Sequence, residues 1–330
     1  GSELCQAGDD AIGIETVGRD EILRSFRRGV ATVLAALLAI MVGAMPSRSE
    51  PLRIAHAQGE TVLPATPRTV FTLDLASLET LDAIGVEVAG VVGSHIPEHL
   101  SKYRDSRYLK IGTLFEPDYE AINAAAPDLI IVAARSAAKY KDLARIAPTI
   151  DLSTDDSAFL ASSLRNARTL GRIFGKEDAV EARIGAIEQS IRRTREKAQN
   201  AGRGLILLTT GGRMSAYGPR SRFGTLHSDF GIAPAVDNLD TAIHGQGVSF
   251  ELILKANPDW LFVIDRDTAV GQAGQPAAQL LDNPLVARTS AWQKRHVAYL
   301  DPVRWYLVGG GIVSLQVNAD QIAQALDATP

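Results

Sequence analysis

A tyrosine, a histidine and three arginines are the residues of this chain whose types and spacing could do chemistry. Tyr306 follows Trp305 and precedes Gly309-Gly310-Gly311, in a loop after the strand-like run His296–Leu300 and the turn Asp301-Pro302. His244 sits in the glycine-rich stretch Ile243–Gly247, just before the helical pattern that carries Glu251. A phenolate oxygen and an imidazole are reasonable ligands for iron(III), which favours hard, anionic oxygen donors. Arg135, Arg222 and Arg266 offer planar, permanently charged donors, and three of them aimed at one cleft would suit a ligand bearing several negative charges. Taken singly, each has a plainer reading. A loop histidine is often just surface, Trp305 and Tyr306 can be packing aromatics, and Arg220 and Arg222 can be solvated. His227 stands beside Asp229 without a partner at metal-ligand spacing, and His95 and His99 lie in a loop that could border the cleft. The three glycines do not form the G-x-G-x-x-G dinucleotide turn, and no G-x-S-x-G is present, so nicotinamide and serine-nucleophile chemistry are poorly supported.

The elements that must position these residues show a repeat. Glu120 to Arg135 and Glu251 to Arg266 both read E-x6-P-D-x6-R, offset by 131 residues throughout. Each reads as a helix, a Pro-Asp turn, a buried strand (LIIVA at 129–133, WLFVI at 260–264) and an arginine at the strand's end. Further strand-like runs at Thr69–Leu73, Val86–Val92 and Gly204–Thr209 alternate with helical patterns, which implies parallel sheets of the α/β class. Open α/β sheets bind ligands beyond the carboxyl ends of their strands. Two similar lobes facing one another would bring Arg135 and Arg266 to one cleft. Between the repeats, Lys176–Gln199 carries an apolar stripe at Ala179, Ala182, Ile184, Ile187 and Ile191 and predicts a stiff connecting helix.

The chain has 330 residues, 34 Lys+Arg against 38 Asp+Glu, and one Cys. That composition excludes wholesale disorder, an internal disulfide and a multi-thiolate zinc site, and its charge of −4 argues against a generic nucleic-acid binder. Arg24, Arg27 and Arg28 precede the uncharged run Gly29–Met45, which is short for a membrane span and has the form of a secretory signal peptide. Cleavage is expected after Ala44 or after Ala57, with the second weakly preferred; an uncleaved anchor is the alternative. Export to the periplasm follows from that reading.

The segments SAYGPRSRFG, HGQGVSFE, NPDWLFVIDR, DNPLVA and YLDPVRWYL together resemble the periplasmic ferric-siderophore binding proteins of bacterial ABC importers, a helical-backbone (class III) family. The chain is most similar to the subgroup that takes ferric catecholates of the enterobactin and petrobactin kind, over about residues 60–328. The resemblance implies two Rossmann-like α/β lobes joined by one long α-helix. The expected division is a leader over 1–57, a first lobe over 58–175, the connecting helix over 176–199 and a second lobe over 200–330. It implies that His244 and Tyr306 coordinate iron left open by a tetradentate bis-catecholate. It places the siderophore-binding arginines at Arg135, Arg222 and Arg266, and permease-docking glutamates at Glu120 and Glu251. The implied protein is monomeric and no enzyme. It has no intrinsic cofactor; its cargo is an Fe(III)-siderophore and its partner an inner-membrane ABC permease. Haem or a corrinoid is the alternative ligand, and a two-domain α/β enzyme the alternative class. Arg220 and Arg304 would add charge at the rim.

Overall fold

The computed structural model describes residues 50–239 and 245–328. The apolar run at 29–45 and His244 lie outside these residues. In the first lobe, β3 (Val70–Thr72), β4 (Gly90–Val91), β5 (Leu109–Lys110), β6 (Leu129–Val132) and β7 (Thr149–Asp151) form an all-parallel sheet in the order β5-β4-β3-β6-β7. Its helices include α1 (Leu75–Ala83), α2 (Tyr119–Ala125) and α3 (Phe159–Phe174). After the connecting helix α4 (Glu177–Ala198) comes the second sheet. It comprises β8 (Arg203–Thr210), β9 (Arg213–Tyr217), β10 (Ala233–Pro234), β11 (Gln246–Gly247), β12 (Trp260–Asp265) and β13 (Val297–Tyr299), with α5 (Phe250–Ala256) and the final helix α6 (Ile312–Asp327). Its order is β11-β9-β8-β12-β13, with β10 beside β8.

The fold is α/β, but the second sheet is mixed rather than purely parallel. Strands β8, β12 and β13 run parallel, whereas β9 is antiparallel to both its neighbours, β8 and β11. The cause is local. Gly211 and Gly212 take φ of 54° and 72°, which closes a two-residue turn between the paired Thr210 and Arg213. Such turns need positive φ at both central positions and fold a strand directly back on itself.

The sequence repeat is a repeat of structure. Helix α2 starts at Asp118, whose side chain accepts from the Ala121 amide at 2.9 Å, and stops at Ala126, held at φ 45°. Helix α5 starts at Ser249, which accepts from the Leu252 amide, and stops at Asn257, held at φ 40°. A left-handed residue followed by proline ends each helix, because proline lacks the amide needed to go on. The aspartate then ties the turn to the adjacent strand. Asp128 accepts the amides of Arg68 and Thr69 at 2.9 and 2.8 Å, and Asp259 accepts that of Arg203 at 2.8 Å. Strands β6 and β12 are buried along their apolar lengths. Each delivers its arginine at the carboxyl end.

Helix α4 has 22 residues and so runs about 33 Å at 1.5 Å per residue. Its buried face is Val180, Ile184, Ile187, Ser190, Ile191, Thr194 and Ala198. Ala179 and Ala182, expected on that stripe, are exposed. Ile184, Ile187 and Ile191 are buried as expected, and only the first turn differs, because Val180, a larger side chain, takes the core place beside Gly171 of α3. Thr194 Oγ1 donates to the Ala319 carbonyl at 2.9 Å, fixing α4 against α6.

The leader boundary drawn at residue 57 cuts through a structural element. Strand β1 (Leu52–His56) pairs antiparallel with β2 (Gly59–Leu63) over five residue pairs. Ile54 is fully buried, and the Ala57 amide donates to the Asp151 carbonyl at 3.0 Å. Cleavage after Ala57 would remove β1, whereas cleavage after Ala44 would leave it. A chain starting at Gln58 should therefore be less stable than one starting at Met45 by about 2 kcal/mol or more, the worth of one buried isoleucine. Equal midpoints in urea would show that the hairpin contributes nothing.

Candidate functional site

Tyr306 lies in Val303–Val308, a wide π-type turn closed by the Gly309 amide on the Arg304 carbonyl at 2.8 Å. Such turns recur at functional sites, since the widened backbone re-aims its side chains. The structure brings all three predicted arginines to this tyrosine. The guanidinium carbons of Arg135, Arg222 and Arg266 stand 5.3, 4.9 and 5.5 Å from its ring centroid, within cation–π range. Arg135 donates to the carbonyls of Tyr306 and Leu307 at 2.9 and 3.3 Å. Arg222 donates to the Tyr306 carbonyl at 2.9 Å, and Arg266 Nε donates to the phenol oxygen at 2.9 Å.

Each arginine is aimed by its own stretch of chain. Arg135 leaves β6 through Ala134, whose φ of 36° turns the backbone sharply. The Ala134 amide is held by Ser153 Oγ at 2.8 Å. Left-handed backbone at a non-glycine residue is costly and persists only where the surroundings enforce it. Arg222 rides on a tight turn in which Ser221 Oγ donates to the Gly218 carbonyl at 2.7 Å. Arg266 follows Asp265, which caps the turn after β12 by accepting from the Thr268 amide at 3.1 Å.

These groups line a cavity of about 840 Å³ between the lobes. Phe115, Phe159 and Met214 supply apolar walls, and Arg213 a fourth cation. Phe115 is 56% exposed, on a turn where Thr113 Oγ1 accepts the amides of Phe115 and Glu116. Phe115, Phe159, Met214 and Arg213 were missed from the sequence. A lone loop aromatic carries no signal, although the Gly211-Gly212 turn that presents Arg213 was open to recognition. Asp156 also lines the cavity; burial raises its carboxyl pKa against the pull of Arg222. A neighbouring cavity of about 360 Å³ is bordered by His95 with Phe115, Arg135, Arg266 and Tyr306.

The Tyr306 phenol is pushed in two directions. Burial, the largest single effect, raises its pKa. The Arg266 hydrogen bond and the charges of Arg135, Arg266 and Arg222 lower it, and together they prevail. Arg222 is itself pulled down by burial and by Arg135, yet an arginine stays cationic in any ordinary protein setting. The result is a phenol predisposed to give up its proton inside an anion-attracting cleft.

His244 lies outside the described residues. Glu120 and Glu251 are both exposed, each the second residue of its helix, α2 and α5. Arg220 is exposed. Arg304 is no rim charge: it is largely buried and paired with Glu79 at 3.3 Å and Asp301 at 3.6 Å. His99 also pairs with Glu79, and His227 is a buried core histidine whose Nδ1 donates to the Ile232 carbonyl at 2.8 Å. No group of three or more His, Cys, Asp or Glu among the described residues forms a metal cluster. Nor is any helix among them long and apolar enough to cross a membrane.

A model of the periplasmic binding protein family matches residues 70–303. The chain belongs to that family. It is 39% identical over 286 residues to the petrobactin-binding protein YclQ of Bacillus subtilis, covering 85% of this chain and 90% of that protein. It is 32% identical over 280 residues to the ferric-anguibactin-binding protein FatB of Vibrio anguillarum, covering 82% and 86%. The crystal structure of YclQ superposes with a TM-score of 0.81 over 84% of this chain and 99% of that one. That of the periplasmic catecholate-siderophore binding protein VctP from Vibrio cholerae gives 0.78 at 32% identity, over 85% and 100%. The fold is thus the helix-linked, two-lobed binding-protein fold, and the chain is a substrate-binding protein rather than an enzyme.

Replacing Arg266 by glutamine should raise the Tyr306 titration. Ultraviolet absorbance of tyrosinate, taken as the difference from Tyr306→Phe, should show less phenolate at any given alkaline pH. An unchanged curve would show that Arg266 does not tune the phenol.

Proposed function

We propose that this chain is an exported, monomeric receptor that captures a ferric catecholate siderophore and hands it to an ABC permease in the inner membrane. The observation that carries this reading is the convergence of Arg135, Arg222 and Arg266 on Tyr306 in a cavity walled by Phe115, Phe159 and Met214. Guanidiniums complement the charge of a ferric chelate, and apolar walls accept the faces of flat aromatic rings. The volume lies within the range of small-molecule sites. Tyr306, and His244 from the second lobe, would fill iron positions that a tetradentate bis-catecholate leaves open. A phenolate is a fitting hard donor for iron(III). The similarity to the petrobactin-binding YclQ, the ferric-anguibactin-binding FatB and the catecholate-siderophore binding VctP supports the same reading.

Fluorescence titration tests it against ferric bis-catecholate, ferric hydroxamate and haemin. Trp305 is the reporter, being next to Tyr306 and fixed by its Nε1 donating to Gln321 at 3.0 Å. Trp260 opens β12, roughly 20 Å from Arg266 at 3.3 Å per residue, and should respond weakly. Ferric bis-catecholate should quench Trp305 at low concentration; tight haemin binding without it would defeat the proposal. Tyr306→Phe and His244→Ala should each weaken the tetradentate complex by about tenfold or more, since even groups that merely support a metal ligand carry that much. A hexadentate tris-catecholate should be nearly unaffected by either. Loss of Arg222 or Arg266 should weaken both chelates by roughly 1.5–3 kcal/mol, the range for hydrogen bonds to charged groups.

Glu120 and Glu251 are the proposed permease contacts. A helix preceding a parallel strand runs antiparallel to it, so its N-terminus lies at the strand's carboxyl end. Both glutamates therefore stand on the cleft side, one on each lobe. The Ser249 hydrogen bond holds the Glu251 carboxyl below its ordinary range. Glu120→Ala with Glu251→Ala should leave chelate affinity unchanged and depress uptake in vesicles carrying the cognate permease. Unimpaired uptake would remove the two glutamates from the docking surface.

A further inference from the structure

Glu79 is a buried carboxylate, 1% exposed, on α1 of the first lobe. Among the described residues, every hydrogen-bond partner of its side chain but one comes from the far end of the sequence. Its Oε2 accepts the Ser314 amide at 2.8 Å, and its Oε1 accepts Ser314 Oγ at 2.7 Å and Arg304 at 3.3 Å. The remaining partner, His99 Nε2, donates at 2.7 Å from within the first lobe. Arg304 also donates to Ser314 Oγ at 3.2 Å and faces Asp301.

Arg304 and Ser314 bracket Tyr306, and the stretch between them reaches into both cores, with Trp305 packed in the second lobe and the residues after Tyr306 in the first. Leu307 and Val308 are buried in that lobe's core, and the Ile312 amide donates to Thr80 Oγ1 of α1 at 3.2 Å. The three glycines, which made no nucleotide fingerprint, have their explanation here. Gly309 takes φ of 54°. A Cβ on Gly310 would lie 2.7 Å from Ser163 Oγ of α3, and one on Gly311 would overlap Glu79 Oε2. Only a chain without side chains passes this close to both helices. Arg266, which bonds the phenol, instead follows β12 of the second sheet directly.

We infer that Glu79 is the positioning residue for Tyr306: from the first lobe it grips the chain on both sides of the tyrosine and so holds the phenol against Arg266 of the second. This rests on the proposed role of Tyr306 as an iron ligand, and deepens it. The phenol's alignment then depends on how the two lobes are seated, because Glu79 and Arg135 hold its backbone from the first lobe while Arg222 holds the same carbonyl, and Arg266 the phenol, from the second.

The test uses Glu79→Gln, with Arg304→Gln as a second variant should the first fold poorly, both in the full chain. Two readouts are taken. Without chelate, the tyrosinate titration of Tyr306, isolated by difference from Tyr306→Phe, should move upward in both variants as the phenol loses its alignment with Arg266. With chelate, affinity for a tetradentate ferric bis-catecholate should fall about tenfold, a coupling typical of residues in one hydrogen-bond network. A hexadentate ferric tris-catecholate should be held nearly as before, and in a Tyr306→Phe background neither substitution should cost anything more. An unmoved titration, equal losses for both chelates, or full additivity with Tyr306→Phe would each overturn the inference. If the wild-type chain binds neither chelate, the functional reading fails, while the titration still decides whether Glu79 positions the phenol.

Discussion

Everything in this site depends on holding three guanidiniums around one tyrosine. Like charges so close repel, and the cost must be met by fixed partners. The fold meets it with oxygen atoms: the Tyr306 and Leu307 carbonyls take Arg135, the Tyr306 carbonyl also takes Arg222, and the phenol takes Arg266. The faces of the aromatic ring add a further attraction for all three cations. Only some of the five N–H donors on each guanidinium are consumed in this way. Arg266 also spends Nη1 on Thr210 Oγ1 at 3.4 Å and faces Asp267 at 3.7 Å; donors not engaged in such bonds can meet an anion in the cavity, on guanidiniums oriented before it arrives. Preorganised donors avoid much of the ordering cost of binding.

The repeat explains how the two outer arginines of this trio came to face each other. In each lobe a capped helix ends in a left-handed residue, a proline stops it, and an aspartate fastens the turn to the neighbouring strand by its backbone amides. That device sets where the buried strand begins, and a strand of given length then sets where its arginine emerges. The aspartates act at the ends of β6 and β12 opposite the arginines, so their effect on the cleft is exerted through strand register. The connecting helix is pinned to α6 along its length, and the segment around Tyr306 is clasped by the first lobe. Wide separation of the lobes would break buried bonds such as that of Glu79 with Ser314, which favours a small closing movement.

Much of this was legible because it is local or repeated. The helix–Pro–Asp–strand–Arg pattern needs only neighbouring residues to be recognised, and its second occurrence announced the two lobes. Tyr306 and the arginines stood out by residue type. What stayed hidden depends on contacts across hundreds of positions. Nothing near Glu79 signals that Arg304 and Ser314 will surround it, and so Arg304 read as a rim charge. Strand β1 read as leader because its apolar content is slight and the partners of its hairpin, Thr149 and Asp151, lie far along the chain. Phe115 owes its place to a turn built on Thr113, which from sequence is one polar loop residue among many.

The chain's net charge of −4 and its arginine-lined cleft are compatible for a physical reason. Exposed charges separated by more than about 10 Å are largely screened at ordinary ionic strength. A few guanidiniums gathered within a partly buried cavity therefore govern the local potential, whatever the sum over the surface. Asp156 is the exception inside that cavity, and its raised carboxyl pKa shows the pressure upon it: burial opposes its charge more than Arg222 supports it. Tyr306 is in the reverse position, since there the arginines outweigh burial. Asp156 and Tyr306 share one cavity, and their pKa values are displaced in opposite senses, toward a neutral acid and toward a phenolate. A phenolate oxygen has lone pairs enough for both a metal ion and the Arg266 N–H, so coordinating a cation would not require the hydrogen bond that prepared it to break.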